Sequence, residues 1–148
     1  MFEYIKEVNC VVEKLAIVLF SGTVDKLYPV SIIASGAVAM GMEVDIFATF
    51  WGLNALRKDM LTTNTKISKD FEDMSQAMMQ LMEQKNVQPW YEILKKAKEL
   101  GNVRVHACAM TFDLMGMKKE DLADFVDDVV AVGEFINIAK DAKITLFI

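Results

Sequence analysis

Cys108 is the residue in this chain best placed to act as a nucleophile. It closes the apolar run Val103-Arg-Val-His-Ala-Cys-Ala109 and precedes Thr111-Phe112-Asp113, which reads as a turn or helix start. A thiol at a strand end, facing the partial positive charge of a helix N-terminus, is favoured as the thiolate. The plainer reading is a small buried hydrophobe, because free cysteine packs well in cores. His106 lies two residues earlier and so shares a strand face with Cys108, their Cα atoms about 6.5–7 Å apart. It is a candidate modulator of the thiolate. The simpler reading is a strand histidine satisfied by a neighbouring group. Cys10, ahead of the first strand, has no such context and reads as structural or incidental. The two cysteines are far from Cys-x-x-Cys spacing, and with one histidine they are too few for a zinc site within one chain.

A second place for chemistry is Ser21-Gly22-Thr23, a turn after an apolar strand, where a phosphate would sit in a nucleotide-binding fold. The chain has neither G-x-G-x-x-G nor G-x-x-x-x-G-K-[ST], and a lone glycine is usually a tight turn. Lys26 nearby could draw in an anion, although an exposed lysine is most simply solvated.

These residues need elements to hold them. Leu15–Phe20 is a continuous apolar run, the pattern of a strand buried on both faces of a parallel sheet. Asp25–Met40 reads as a helix with Pro29 in its early turns and Gly41 as its C-terminal stop. Glu43–Thr49 is the next strand, so the unit is β-α-β with a right-handed crossover. The first helix is apolar all round, which predicts burial on all sides, with a second subunit as the source of extra cover.

A short helix over Trp51–Lys58 leads into a loop, Asp59–Asp70, rich in Thr, Asn and Ser. Phe71–Lys85 then reads as an amphipathic helix with Met74, Met78 and Met82 in a stripe and Met60 and Met79 nearby. Such a stripe is a core face or an adaptable partner surface. Pro89 opens a helix over Trp90–Leu100 that Gly101 ends. Glu120–Ala139 reads as a helix broken near Gly133, its acids Glu120, Asp121, Asp124, Asp127 and Asp128 forming a solvated face. Ile144–Ile148 closes the chain as a strand. The pattern predicts one α/β domain over residues 1–148, a Rossmann-like or flavodoxin-like parallel sheet flanked by helices, with an irregular Met-rich segment over 59–88.

Composition narrows the function classes. A chain of 148 residues with net charge −5 has no basic footprint for nucleic acid. Its 53% hydrophobic content is high for a soluble domain. The longest uncharged stretch, Leu27–Met42, is too short to span a membrane, and Glu43 and Asp45 end it. The mixed-charge N-terminus lacks an apolar signal segment, which points to the cytoplasm and reduced thiols.

Three segments carry a family pattern: Phe20-Ser-Gly-Thr-Val-Asp-Lys26, the stretch Gly41–Arg57 with its Phe-Ala-Thr-Phe-Trp-Gly core, and Ala107-Cys-Ala-Met-Thr-Phe-Asp-Leu-Met-Gly-Met117. Together they resemble the DsrE/DsrF-like family, in the branch often labelled "peroxiredoxin family", from Lys14 to Ile148. The resemblance implies a Rossmann-like parallel sheet, a homo-oligomer and a cytoplasmic role in sulfur trafficking, as a carrier or a sulfurtransferase. In that setting Cys108 accepts sulfane sulfur as a persulfide or thiosulfonate. TusA-like sulfur carriers and rhodanese-type donors are the implied partners, and no cofactor or metal is needed. The peroxiredoxin label lends no support to peroxidase chemistry. His106 falls where the family pattern leads us to expect an aliphatic residue, so any role for it belongs to this chain. On this reading Ser21, Gly22, Thr49, Trp51 and Thr111 line the substrate pocket. The rival readings are an oligomeric binding module with a merely packed Cys108, and a small-molecule or nucleotide-binding domain built on the Ser21-Gly22-Thr23 loop.

Overall fold

The computed structural model describes residues 11–148; Cys10 and the N-terminal segment read above lie outside them. Along the chain the elements are β1 (Lys14–Leu19), α1 (Val24–Ala39), β2 (Glu43–Ala48), α2 (Phe50–Ala55), α3 (Lys58–Leu61), a 3-10 turn (Lys69–Met74), α4 (Ser75–Gln84), α5 (Trp90–Leu100), β3 (Val103–Cys108), α6 (Ala109–Leu114), a 3-10 turn (Lys119–Asp121), β4 (Asp128–Val130), α7 (Val132–Ala139) and β5 (Ile144–Phe147). The five strands form one sheet in the order β4-β3-β2-β1-β5, parallel throughout. This is the α/β sheet flanked by helices that the apolar runs predict. Among the described residues no helix is long and apolar enough to cross a membrane.

The topology decides how thickly each face is covered. The connections from β1 to β4 all step one way across the sheet, so right-handed crossovers lay their helices on one face. There Leu27, Val30, Ala34 and Ala37 of α1, with Trp90, Leu94 and Ala97 of α5, pack on Leu15, Ile17, Val44, Ile46, Val103 and Val105. The connection from β4 to β5 must return over β3, β2 and β1, and the same handedness sends α7 to the opposite face. That face has its own small core, in which Phe135 of α7 meets Ala16, Phe47, Cys108 and Val130. Among the described residues, the eight-residue α7 is the crossover helix on this side of the sheet. Cys108 lies under the thin layer.

The structure corrects three expectations. Glu120–Ala139 is not a helix: a 3-10 turn, a strand and a shorter helix share that segment. The open edge of β3 captures it, because the Asp127 N–H donates to the Val105 carbonyl at 2.8 Å and the Asp127 carboxylate accepts the Val105 N–H at 2.7 Å. Tertiary pairing with an unfilled edge outweighs local helical pattern. Consequently Asp127 and Asp128 are not part of a solvated acidic face; one serves Val105 and Lys98, the other His106.

The methionine stripe is likewise not core, since Phe71, Met74, Met78 and Leu81 are exposed. The side of α4 that turns inward presents Met79 and Met82 towards Val24 and Tyr28. In the single chain, α1 is buried on its sheet side and leaves Ile32, with Met40 at its C-cap, open to solvent, on the side for which the sequence expects cover from a second subunit.

Candidate functional site

The thin face opens into a cavity of about 610 Å³ at the carboxyl ends of the strands, lined by Val18, Phe47, Thr49, Cys108, Met110, Val132, Phe135, Ile136 and Phe147 among others. This is where ligands bind in open α/β sheets, beyond the strand ends. Among the described residues no charged side chain contributes to the lining. The Phe47 ring stacks on Phe135 at 4.6 Å and forms the floor, while Phe147 stacks on Phe20 at 5.8 Å on the rim. Among the described residues Cys108, a free thiol only 5% exposed, is the one strongly nucleophilic group facing this space.

Two threonines organise the thiol. Thr111, in the first turn of α6, is fully buried, and its hydroxyl lies 3.1 Å from that of Thr49 at the end of β2. The Thr111 Oγ1 also accepts the Phe50 N–H at 3.1 Å. Phe50 stands at φ 47°, a left-handed conformation that is costly for an aromatic residue and that the Thr111 contact helps to hold. Burial is the largest single influence on the Cys108 thiol and opposes its ionisation. The backbone N–H of Thr111, the hydroxyls of Thr111 and Thr49 and the N–H of Met110 together outweigh it, so the thiol titrates below its ordinary value. The first turn of α6 thus supplies donors to a developing negative sulfur.

Replacing Thr111 with valine keeps the shape and removes the hydroxyl. A hydrogen bond to a charged acceptor contributes about 1.5–3 kcal/mol, so Thr111→Val is expected to slow iodoacetamide alkylation of Cys108 at neutral pH roughly tenfold or more. The pH–rate curve should move to higher pH. An unshifted curve would show that the threonine does not set the thiolate.

Of the residues expected to line one pocket with Cys108, the structure brings Thr49 and Thr111 to the sulfur and separates the others. Ser21, Gly22 and Trp51 line a different cavity of about 230 Å³ together with Asn54, Asn64 and Lys66. Gly22 is there for close packing: a Cβ on it would stand 2.3 Å from the Trp51 carbonyl oxygen. The loop's polar groups are engaged with each other, since the Ser21 and Thr23 hydroxyls are 3.1 Å apart and Asn64 donates to the Gly22 carbonyl at 2.8 Å. A phosphate cradle needs free N–H groups and backbone access, and this loop offers neither generously.

His106 does share the face of Cys108, but its ring is committed elsewhere. Nε2 lies 2.8 Å from Asp45 Oδ1 of β2, and Nδ1 lies 2.6 Å from Asp128 Oδ1 of β4. Burial works against the charged ring, yet the two carboxylates prevail and hold His106 protonated above its usual range. Asp45, completely buried, also receives Arg104 Nη2 at 3.2 Å and faces Lys14 Nζ at 3.6 Å. Lys14 in turn donates to the Ile138 carbonyl of α7 at 3.0 Å. No nitrogen of His106 remains for the sulfur.

Sequence reasoning passed over Asp45, Asp128 and the aromatic floor. A carboxylate in the middle of the apolar run Val44-Asp45-Ile46 was a usable signal, because a buried charge demands a partner. Phe135, Ile136 and Phe147 carried none, since only the return crossover brings them to Cys108. Among the described residues no set of three His, Cys, Asp or Glu side chains converges to hold a metal ion.

Comparison with known proteins bears on the family and the fold. The DsrE/DsrF/DrsH-like family model matches residues 11–80 and 62–147. The chain is 36% identical to the uncharacterized protein YrkE of Bacillus subtilis, covering 92% of this chain and 97% of that one. It is 33% identical to the sulfur carrier protein DsrE2 of Allochromatium vinosum, covering 92% and 98%. The fold is also that of MTH1491 from Methanobacterium thermoautotrophicum, a protein of unknown function, at TM-score 0.57 and 18% identity over 92% of this chain and 99% of that one.

Proposed function

The chain belongs to the DsrE/DsrF/DrsH-like family, and we propose that it is a sulfur-transfer protein whose Cys108 carries sulfane sulfur and hands it to an acceptor thiol. Sulfur transfer in general is suggested by the family and by the similarity to a sulfur carrier. The observation that carries the residue-level reading is a free thiol at the end of an apolar cavity, with N–H and O–H donors gathered on the sulfur.

The chemistry follows from thiol exchange. The Cys108 thiolate attacks the outer sulfur of a donor persulfide, R–S–SH. The donor S–S bond breaks, R–S⁻ leaves, and Cys108 becomes Cys–S–SH. An acceptor thiolate then attacks that outer sulfur and Cys108 departs as thiolate. The donors that lower the thiol's pKa make it the better leaving group in this second step. With tetrathionate as donor the thiolate attacks an inner sulfur, the central S–S bond breaks, thiosulfate leaves, and Cys108 carries the thiosulfonate Cys–S–S–SO3⁻. The apolar walls keep water from the carried sulfur, and a cytoplasmic setting keeps the resting thiol reduced. A TusA-like carrier or rhodanese-type donor is the kind of partner this exchange needs, and a second copy of the chain over Ile32 and Met40 would give the homo-oligomer.

The test is a round trip. Protein incubated with polysulfide and desalted is expected to gain whole sulfur atoms by intact mass, then return to its starting mass with excess glutathione as glutathione persulfide appears. Protein that takes up no sulfur, or that keeps it in the presence of the thiol, contradicts the proposal.

A further inference from the structure

We infer that His106 is a positioning residue for the Cys108 site, clasping the short strand β4 to β2 and so fixing one wall of the cavity. β4 has three residues, and its ladder runs from His106↔Asp128 through Ala107↔Val129 to Cys108↔Val130. Among the described residues its outer edge has no neighbouring strand. The chain leaves β4 through Ala131 and Val132, both part of the cavity lining. One end of this ladder is therefore the His106–Asp128 contact, and the other is the reactive cysteine.

The clasp depends on the ring's two N–H groups. A protonated imidazole donates to both carboxylates at once, whereas a neutral one has a single donor. The surrounding charges decide which partner loses. Asp45 of β2 keeps Arg104 of β3 and Lys14 of β1. Asp128, half exposed on β4, has His106 as its ion-pair partner. From α7 the ring meets Phe135, with centroids 6.5 Å apart, and Lys14 reaches that helix through the Ile138 carbonyl. The neighbouring Asp127, paired with Lys98 of α5, anchors the entry to β4 and not its exit. Deprotonation thus frees Asp128 and loosens the β4–α7 junction. The raised titration of His106 places this change above the ordinary histidine range.

The inference rests on the proposed function only in taking Cys108 as the reacting atom. Its test needs no sulfur donor, so the two can fail separately. In a Cys10→Ser background, alkylation of Cys108 is followed from pH 5 to 9 with iodoacetamide and with the bulky N-pyrenylmaleimide. The ratio of the two rates cancels the thiolate fraction and reads access. It is expected to rise about fivefold with pH, the equilibrium factor of a partly exposed charge pair. In Asp128→Asn the ratio is expected to stay high throughout, and His106→Gln should lose the inflection as well. Asp128 is half exposed, so its variant remains informative if His106→Gln does not fold. A ratio that is flat with pH in the parent protein, or an inflection that survives Asp128→Asn, overturns the inference.

Discussion

Asp45→Asn is expected to cost the protein about 3–5 kcal/mol of stability, the usual penalty for removing one partner of a buried ion pair. For a domain of this size that lowers Tm by roughly 6–20 °C. The effect is large because Asp45 is completely buried and three cations address it: His106 at 2.8 Å, Arg104 Nε at 3.0 Å and Lys14 at 3.6 Å. Asparagine preserves the side-chain shape and leaves those charges facing a neutral amide.

The pH dependence separates this cause from simple misfitting. Burial raises Asp45's pKa, but His106, Arg104 and Lys14 more than reverse that, so its folded-state pKa lies below the ordinary 3.8. Its contribution is therefore present above pH 3.8 and lost as pH falls through the lower folded value. His106 works in the opposite sense, because its folded pKa is raised above 6.5. Its contribution is present below pH 6.5 and lost as pH rises through the higher folded value. Wild-type Tm should fall off on both sides of the window between these limits. In Asp45→Asn both arms should shrink, the acid arm keeping the contribution of Asp25, whose pKa is also lowered. Thermal melts by circular dichroism from pH 3 to 9 check both arms; a Tm within a degree or two of wild type would refute the network.

Much of the fold was legible because its strands are short, continuous and apolar. β1, β2, β3 and β5 lie where Leu15–Phe20, Glu43–Thr49, Val103–Ala109 and Ile144–Ile148 predict them. α5 begins after Pro89 and ends before Gly101, as those two residues dictate. The acidic segment before α7 was not legible, because β4 exists only where β3 offers an open edge. Val129 and Val130 carry too little local pattern to announce a strand.

The site divides in the same way. Cys108 and its donors Met110 and Thr111 could be read from a strand end followed by a helix start, which is local, whereas Thr49 joins them from the end of β2. The true walls of its cavity could not, since Phe135, Ile136 and Phe147 arrive by a crossover whose side of the sheet depends on strand order. Ser21 and Trp51 sit near strand ends too, but they line a separate cavity from the one that Cys108 faces. Nearness to a strand end did not amount to nearness to the thiol. His106 matched the simpler expectation of a satisfied histidine, and its partners give it a place in the wall of the cavity.

The largest functional effect is expected from Cys108→Ser, which should abolish sulfur loading. A serine hydroxyl has no accessible anionic form at neutral pH and cannot form the S–S bond that carries the sulfur. The decisive measurement is peptide mapping by mass spectrometry after polysulfide loading and thiol blocking, on wild type, Cys10→Ser and Cys108→Ser side by side. The added sulfur should be found on the Cys108 peptide of wild type and Cys10→Ser, with none retained by Cys108→Ser. Sulfur on Cys10 with Cys108 unmodified, or full loading of Cys108→Ser, would contradict the assignment.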